Sequence, residues 1–142
     1  RTNLIDMLVL HEGMRTKPYE DSLGILSIGV GRNLESMGLS HDEVYYMLRN
    51  DIRRCEEELD NTFRWYKHLD QVRQDAMIDL CFNLGLTRLR GFKKALAFME
   101  TDDFDKAADE FLDSNWADQV GQRAINVTTM IRTGEYYANG KR

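Results

Sequence analysis

Only one stretch of this chain alternates with the period of a strand. From Lys17 to Gly31 the pattern has period two, while before and after it apolar residues recur at helical spacing. Lys17-Pro18-Tyr19 is extended, because proline biases the residue before it away from the helical region. Asp21-Ser22-Leu23-Gly24 carries turn chemistry. In the run that follows, Leu26, Ile28 and Val30 point one way, and Ile25, Ser27, Gly29 and Gly31 point the other. The segment reads as a β-hairpin with one apolar face and one nearly bare face around a hydroxyl.

The remainder is helical. Leu4, Ile5, Leu8 and Val9 recur at helical spacing, and Gly13 stands where a C-cap belongs. Ser40 and Glu43 form a capping box ahead of Val44, Met47, Leu48, Ile52, Cys55 and Leu59, which predicts a long helix ending near Asn61. Asp70 is placed to cap a helix through Leu84. There Ala76, Met77, Ile78, Leu80, Cys81 and Phe82 cover nearly every direction, the mark of a buried central helix. Further helices are predicted over about 91–100, 103–113 and 122–132, the last stopped by Gly134. The expected class is α+β in a single domain, 1–142. It comprises a small β-hairpin lobe over 13–39, a spanning helix over 40–61, and a larger all-helical lobe built from 1–12 and 62–142.

Composition narrows the function classes. Core-forming residues make up 42% of the chain and charged residues 30%, with one proline, which excludes a disordered or low-complexity chain. No apolar run approaches the ~20 residues of a membrane span. The Leu4–Leu10 run is short and lacks both a multi-cation leader and a small-residue cleavage site, so it does not read as a signal peptide. A formal charge of −5 argues against generic nucleic-acid binding, although Arg88, Arg90, Lys93 and Lys94 form a local basic patch. Cys55 and Cys81 lie in apolar helical patterns and read as free core cysteines. They share no ligand spacing with His11, His41 or His68, so neither a metal site nor a cofactor is expected. Gly29 and Gly31 are not followed by a helix start, which excludes a phosphate loop.

Glu12 breaks two local rules. It continues the stripe of Leu4 and Leu8, and it ends its helix, where the macrodipole disfavours a negative charge. By position alone a solvated helix end explains it better, since Glu is rarely buried without a partner. Asp21 sits in the hairpin turn, where water and free N–H groups favour a charged carboxylate. Ser27 shares a strand face with two glycines, which leaves room for a bulky group, although a weak edge strand accounts for those glycines equally well. A proton donor paired with a charged carboxylate is the division of labour of glycoside hydrolysis. In that chemistry the Ser27 hydroxyl could hold a water against Asp21.

The order Glu12, eight residues, Asp21, five residues and then a hydroxyl residue resembles the catalytic signature of the phage-type lysozymes. His11-Glu12-Gly13, the Tyr19-to-Gly31 hairpin, Phe82-Asn83-Leu84-Gly85, Gly91-Phe92, Trp116, and Arg123 through Arg132-Thr133-Gly134 follow in that family's order, from about Leu4 to Tyr137. Gly31-Arg32-Asn33-Leu34 is similar to one branch of it. The resemblance implies a lysozyme-like fold, with Glu12 as general acid, Asp21 as the carboxylate that activates water, and Ser27 in place of the usual threonine. It further implies that Asn33, Phe82, Asn83 and Arg123 contact substrate, with Arg123 reaching across to the acid. Core packing accounts for Phe82 equally well, and helical periodicity places Trp116 in the core. Arg32 stands where the best-known member has a histidine in a stabilising ion pair, so that pair is not expected. Few residues separate Gly31 from the long helix, which implies a shallower outer groove.

The activity so implied is inverting hydrolysis of the β-1,4 bond between N-acetylmuramic acid and N-acetylglucosamine in peptidoglycan. A lytic transglycosylase would need no water-activating partner, against Asp21 and Ser27. A non-catalytic wall-binding module would not need the complete catalytic set. The resemblance also implies a monomer that acts on glycan strands, with no nucleic acid and no stable membrane insertion. It would accumulate in the host bacterium's cytoplasm and reach the wall through a lesion made by a separate holin-type protein. The negative net charge argues against strong electrostatic capture by an anionic wall.

Overall fold

A computed structural model describes residues 1–137, so the last five residues of the lobe expected over 62–142 lie outside the described residues. Eight helices and one three-stranded antiparallel sheet, ordered β1-β2-β3, are found among them, as the α+β class requires. By contacts the chain forms two compact units, Arg1–Met47 and Leu48–Arg142. The first helix is thus grouped with the sheet, whereas the sequence reading placed 1–12 with the later helices.

In the first unit, α1 (Thr2–Glu12) ends at Gly13, whose positive φ of 78° and amide bond to the Val9 carbonyl close the helix. The chain passes directly into β1 (Arg15–Glu20), which pairs with β2 (Leu26–Gly29), and β2 pairs with β3 (Arg32–Asn33). The third strand was not foreseen; at two residues it is too short to show a period. Arg15 lies opposite Gly29 and Tyr19 opposite Ser27, so β1 carries surplus residues between those two pairs. Pro18, which has no N–H to give to a ladder, sits within that bulge.

Burial in the first unit does not follow the apolar pattern. None of the α1 side chains is buried, including the stripe of Leu4 and Leu8. A unit this small has little interior to offer them. On β2 the covered residue is Ser27, at 3% exposure, while Leu26 and Val30 on the apolar face remain exposed. The small-residue face is therefore the one that neighbouring chain approaches.

The long helix α2 (His41–Thr62) starts at the predicted capping box. The Ser40 N–H donates to Glu43 Oε1 at 2.8 Å, and the Glu43 N–H donates to Ser40 Oγ at 3.2 Å. Arg32 pairs instead with a residue of this chain's own capping box. Its Nη1 and Nη2 donate to the two Glu43 carboxylate oxygens at 2.8 and 2.7 Å, and Nη1 also donates to the Gly38 carbonyl at 3.0 Å. A guanidinium offers the planar fork that a bidentate pair needs, which an imidazole does not.

The hydrophobic core lies in the second unit. Leu59 from α2 and Ala76, Met77, Leu80 and Cys81 from α3 (Gln71–Leu84) are buried there. They join residues of α4 (Leu86–Arg90), α5 (Lys93–Glu100), α6 (Phe104–Leu112), α7 (Asn115–Val120) and α8 (Gln122–Thr133). Asp70 caps α3 through the Arg73 N–H, and Gly134 ends α8 in the left-handed region, both as predicted. The short α4 and α7 and a 3₁₀ turn at Tyr66–His68 were not foreseen. Trp116 is buried, its ring edge-on to Phe92, in keeping with a core role.

The Arg32 fork and the Ser40 amide hold the Glu43 carboxyl down from its ordinary 4.5 to about 2. A carboxyl depressed by folding contributes stability above its ordinary value, and that contribution is lost as pH falls through the depressed one. Thermal unfolding followed from pH 5 to pH 2 should therefore show a steeper loss of stability in the parent than in Glu43→Gln. Equal slopes would show that the pair adds nothing to folding.

Candidate active site

Four of the expected residues, Glu12, Asp21, Ser27 and Asn33, lie in the first unit. Glu12 is the last residue of α1 and is exposed. The backbone that carries the chain from β2 to β3 passes directly beneath its carboxyl. A Cβ on Gly31, which has φ +68°, would stand 3.1 Å from Glu12 Oε1, whereas one on Gly29 would meet nothing within 4 Å. Glycine at 31 thus gives both the positive φ and the clearance for the acid. No hydrogen bond or ion pair from the first unit engages the Glu12 carboxyl.

Asp21 is held differently. Its Oδ1 accepts the Leu23 N–H at 2.8 Å and the Ile25 N–H at 2.9 Å, so the turn's own amides fix it. No hydrogen bond reaches Oδ2 among the described residues. Ser27 follows on β2, and its hydroxyl donates to the Ile25 carbonyl at 3.3 Å, the same oxygen that takes the Asp21 N–H at 2.9 Å. One carbonyl therefore ties the strand hydroxyl to the backbone of the turn carboxylate. The Ser27 oxygen retains its lone pairs for a further donor. Asn33 is engaged locally: its Oδ1 accepts the Glu35 and Ser36 N–H groups, both at 2.9 Å, closing the turn that leaves β3. Only its amide nitrogen is left to meet a ligand.

The second unit contributes a cavity of about 420 Å³ lined by Leu48, Ile52, Ile78 and Phe82, with Asp75, Asp79 and Arg123. Phe82 is 46% exposed on its wall, which decides between the two sequence readings against a core role. Arg123 Nε donates to Asp79 Oδ1 at 2.9 Å, an ion pair within the second unit. Asn83 turns out to be structural in part: its Oδ1 accepts the indole N–H of buried Trp116 at 2.7 Å. Asp79 and Asp75 were missed by sequence reasoning. The available signal was helical spacing: Asp75 and Asp79 are one i, i+4 step apart, and Ile78 and Phe82 are another beside it.

The two cysteines are free and buried, as expected. Their spacing gives no ligand motif, yet the folded chain brings both beside Glu58. In chemical terms the first unit presents an unengaged carboxyl and an anchored one, with a hydroxyl between strand and turn. The second presents an apolar ring and a cation beside a cavity.

The chain matches the family model described as phage lysozyme over residues 9–132. It is similar to the endolysin of Salmonella phage P22, with 30% identity covering 78% of this chain and 80% of that protein. It is also similar to a protein named probable T4-type lysozyme 1 from Dictyostelium discoideum, with 25% identity over 94% of this chain and 95% of the relative. A further relative, the pre-baseplate central spike protein Gp5 of Enterobacteria phage T4, is 23% identical over 97% of this chain but only 29% of its own length. The chain belongs to the phage lysozyme family and is a glycoside hydrolase.

Proposed function

We propose that this enzyme hydrolyses the β-1,4 bond between N-acetylmuramic acid and N-acetylglucosamine in bacterial peptidoglycan with inversion at the anomeric carbon. Glu12 protonates the leaving glycosidic oxygen, and Asp21 takes a proton from the water that attacks the opposite face. Inversion requires space for that water, so the two carboxyls should stand roughly 6.5–9.5 Å apart. The observation that carries this reading is the contrast between the two groups. Asp21 is anchored through one oxygen with the other left to accept a proton. Glu12 lies over a glycine with nothing from its own unit bound to it.

Ser27 serves the water. Its proton is directed to the Ile25 carbonyl, so its oxygen can only accept, which orients a water to present a lone pair elsewhere. Phe82 offers an apolar face to a sugar ring, and Arg123, steadied by Asp79, offers a cation to the carboxylates of the wall polymer. Asn33 and Asn83 retain amide N–H groups for sugar hydroxyls. The enzyme acts as a monomer, accumulating in the host cytoplasm and reaching the wall through a lesion made by a holin-type protein.

Glu12→Gln should lower wall lysis by at least about 100-fold with the circular dichroism spectrum unchanged, the scale of a lost general acid. Undiminished lysis would remove Glu12 from that role. Mass spectrometry of a peptidoglycan digest in ¹⁸O-water should find one labelled oxygen at each new reducing end; anhydro-muramic ends would establish transglycosylation instead. A paired substitution tests the acid's seat. Gly29→Ala and Gly31→Ala impose the same left-handed strain, about 1–2 kcal/mol each. Only Gly31→Ala presses on Glu12, so turnover should fall further in it than in Gly29→Ala at matched loss of Tm.

A further inference from the structure

Behind the long helix the second unit holds a cluster for which the glycosidase reading has no use. Cys55 and Glu58 lie one turn apart on α2, and Cys81 comes from α3. Their sulfurs and a Glu58 carboxylate oxygen all lie within 4.8 Å of one another. The Cys81 thiol donates to Glu58 Oε1 at 3.6 Å, and neither cysteine is in a disulfide. Cys55 is 8% exposed and Cys81 2%, while Glu58 is half-buried, so the cluster opens towards solvent on the carboxylate side.

We propose that Cys55, Glu58 and Cys81 form a binding site for a thiophilic divalent cation of the zinc class, with water as its fourth ligand. A tetrahedral zinc holds thiolates at about 2.3 Å and a carboxylate oxygen at about 2.0–2.2 Å, which sets its ligands roughly 3.3–3.8 Å apart. The three donor atoms need to close by at most about 1.5 Å to meet that geometry. The donor set is two soft sulfurs and one oxygen, which suits zinc, cadmium or cobalt and disfavours magnesium and calcium. Three negative donors around a 2+ ion leave one net charge, at the end of the cluster that faces water.

The cation displaces the two thiol protons to solvent as two metal–sulfur bonds form, with no change of oxidation state. Burial pushes the Cys81 thiol up to about 12 and raises that of Cys55. The charged groups acting on them are Glu58, Asp51 and Arg54, all from α2. Each metal–sulfur bond that forms releases a thiol proton. Affinity should climb with pH, towards about 100-fold per pH unit for two protons released.

The test is a cobalt titration of the reduced full-length protein. It should show one equivalent bound, an intense near-ultraviolet thiolate-to-cobalt band, release of two protons in weak buffer, and loss of the band on adding zinc. Glu58→Gln keeps the thiols and the side-chain size; it should retain the band and bind cobalt at least about tenfold more weakly. Cys81→Ala should reduce the band. The proposal is overturned if the folded, reduced protein develops no such band, or if Glu58→Gln binds cobalt as tightly as the parent. Conversion of the pair to a Cys55–Cys81 disulfide in the presence of saturating zinc would overturn it as well.

Discussion

The left-handed turn from Gly29 to Gly31 is the point on which the first unit is built. Ser27 leads into it on β2, Glu12 stands on its far residue, and Arg32 leaves it to grip Glu43. Because two of its three residues have positive φ, the turn is tight, and because residue 31 is glycine it leaves space for a carboxyl. One short piece of backbone thereby sets the seat of the acid, the direction of β3 and, through the Arg32 fork, the start of α2. A side chain at position 31 would press on the Glu12 carboxyl.

The second unit is held by a different logic, in which buried small residues let helices close on one another and long polar side chains tie off their ends. Ala76, Ala95, Ala107, Ala108 and Ala124 are buried to 1% exposure or less, alongside Met77, Phe111 and Trp116. Arg73 reaches from the first turn of α3 to the last carbonyls of α8, at Ile131 and Arg132, with Phe104 beneath its guanidinium at 3.8 Å. A cation suits those carbonyls, since a helix end carries partial negative charge. Gly134 belongs to the same arrangement: a Cβ there would meet Arg73 Nη1 at 2.9 Å. Asn83 and Trp116 extend the principle, with the polar atom of one helix satisfying a buried donor of another.

Much of this was legible in the sequence, for reasons that differ by element. Helices with a chemical start or stop read well: Ser40 and Glu43, Asp70, Gly13 and Gly134 are local signals that survive folding. The short α4 and α7 were lost because five or six residues carry less than two turns of periodicity. Burial on β2 was not legible because the pattern shows which residues share a face but not which face the rest of the chain will cover. Glu12 and Asp21 stood out through their places at a helix end and in a turn. The partners of Arg32, Arg123, Asn83 and the two cysteines did not, since each pair is joined only by tertiary structure.

The way Asp21 is anchored has a consequence for how the hairpin can change. Both donors to its carboxylate are main-chain amides, at residues 23 and 25, and every amino acid except proline supplies one. Leu23 projects at the tip with 81% of its surface open. The side chains of that tip can therefore be exchanged, proline apart, while the carboxylate behind it keeps both of its hydrogen bonds.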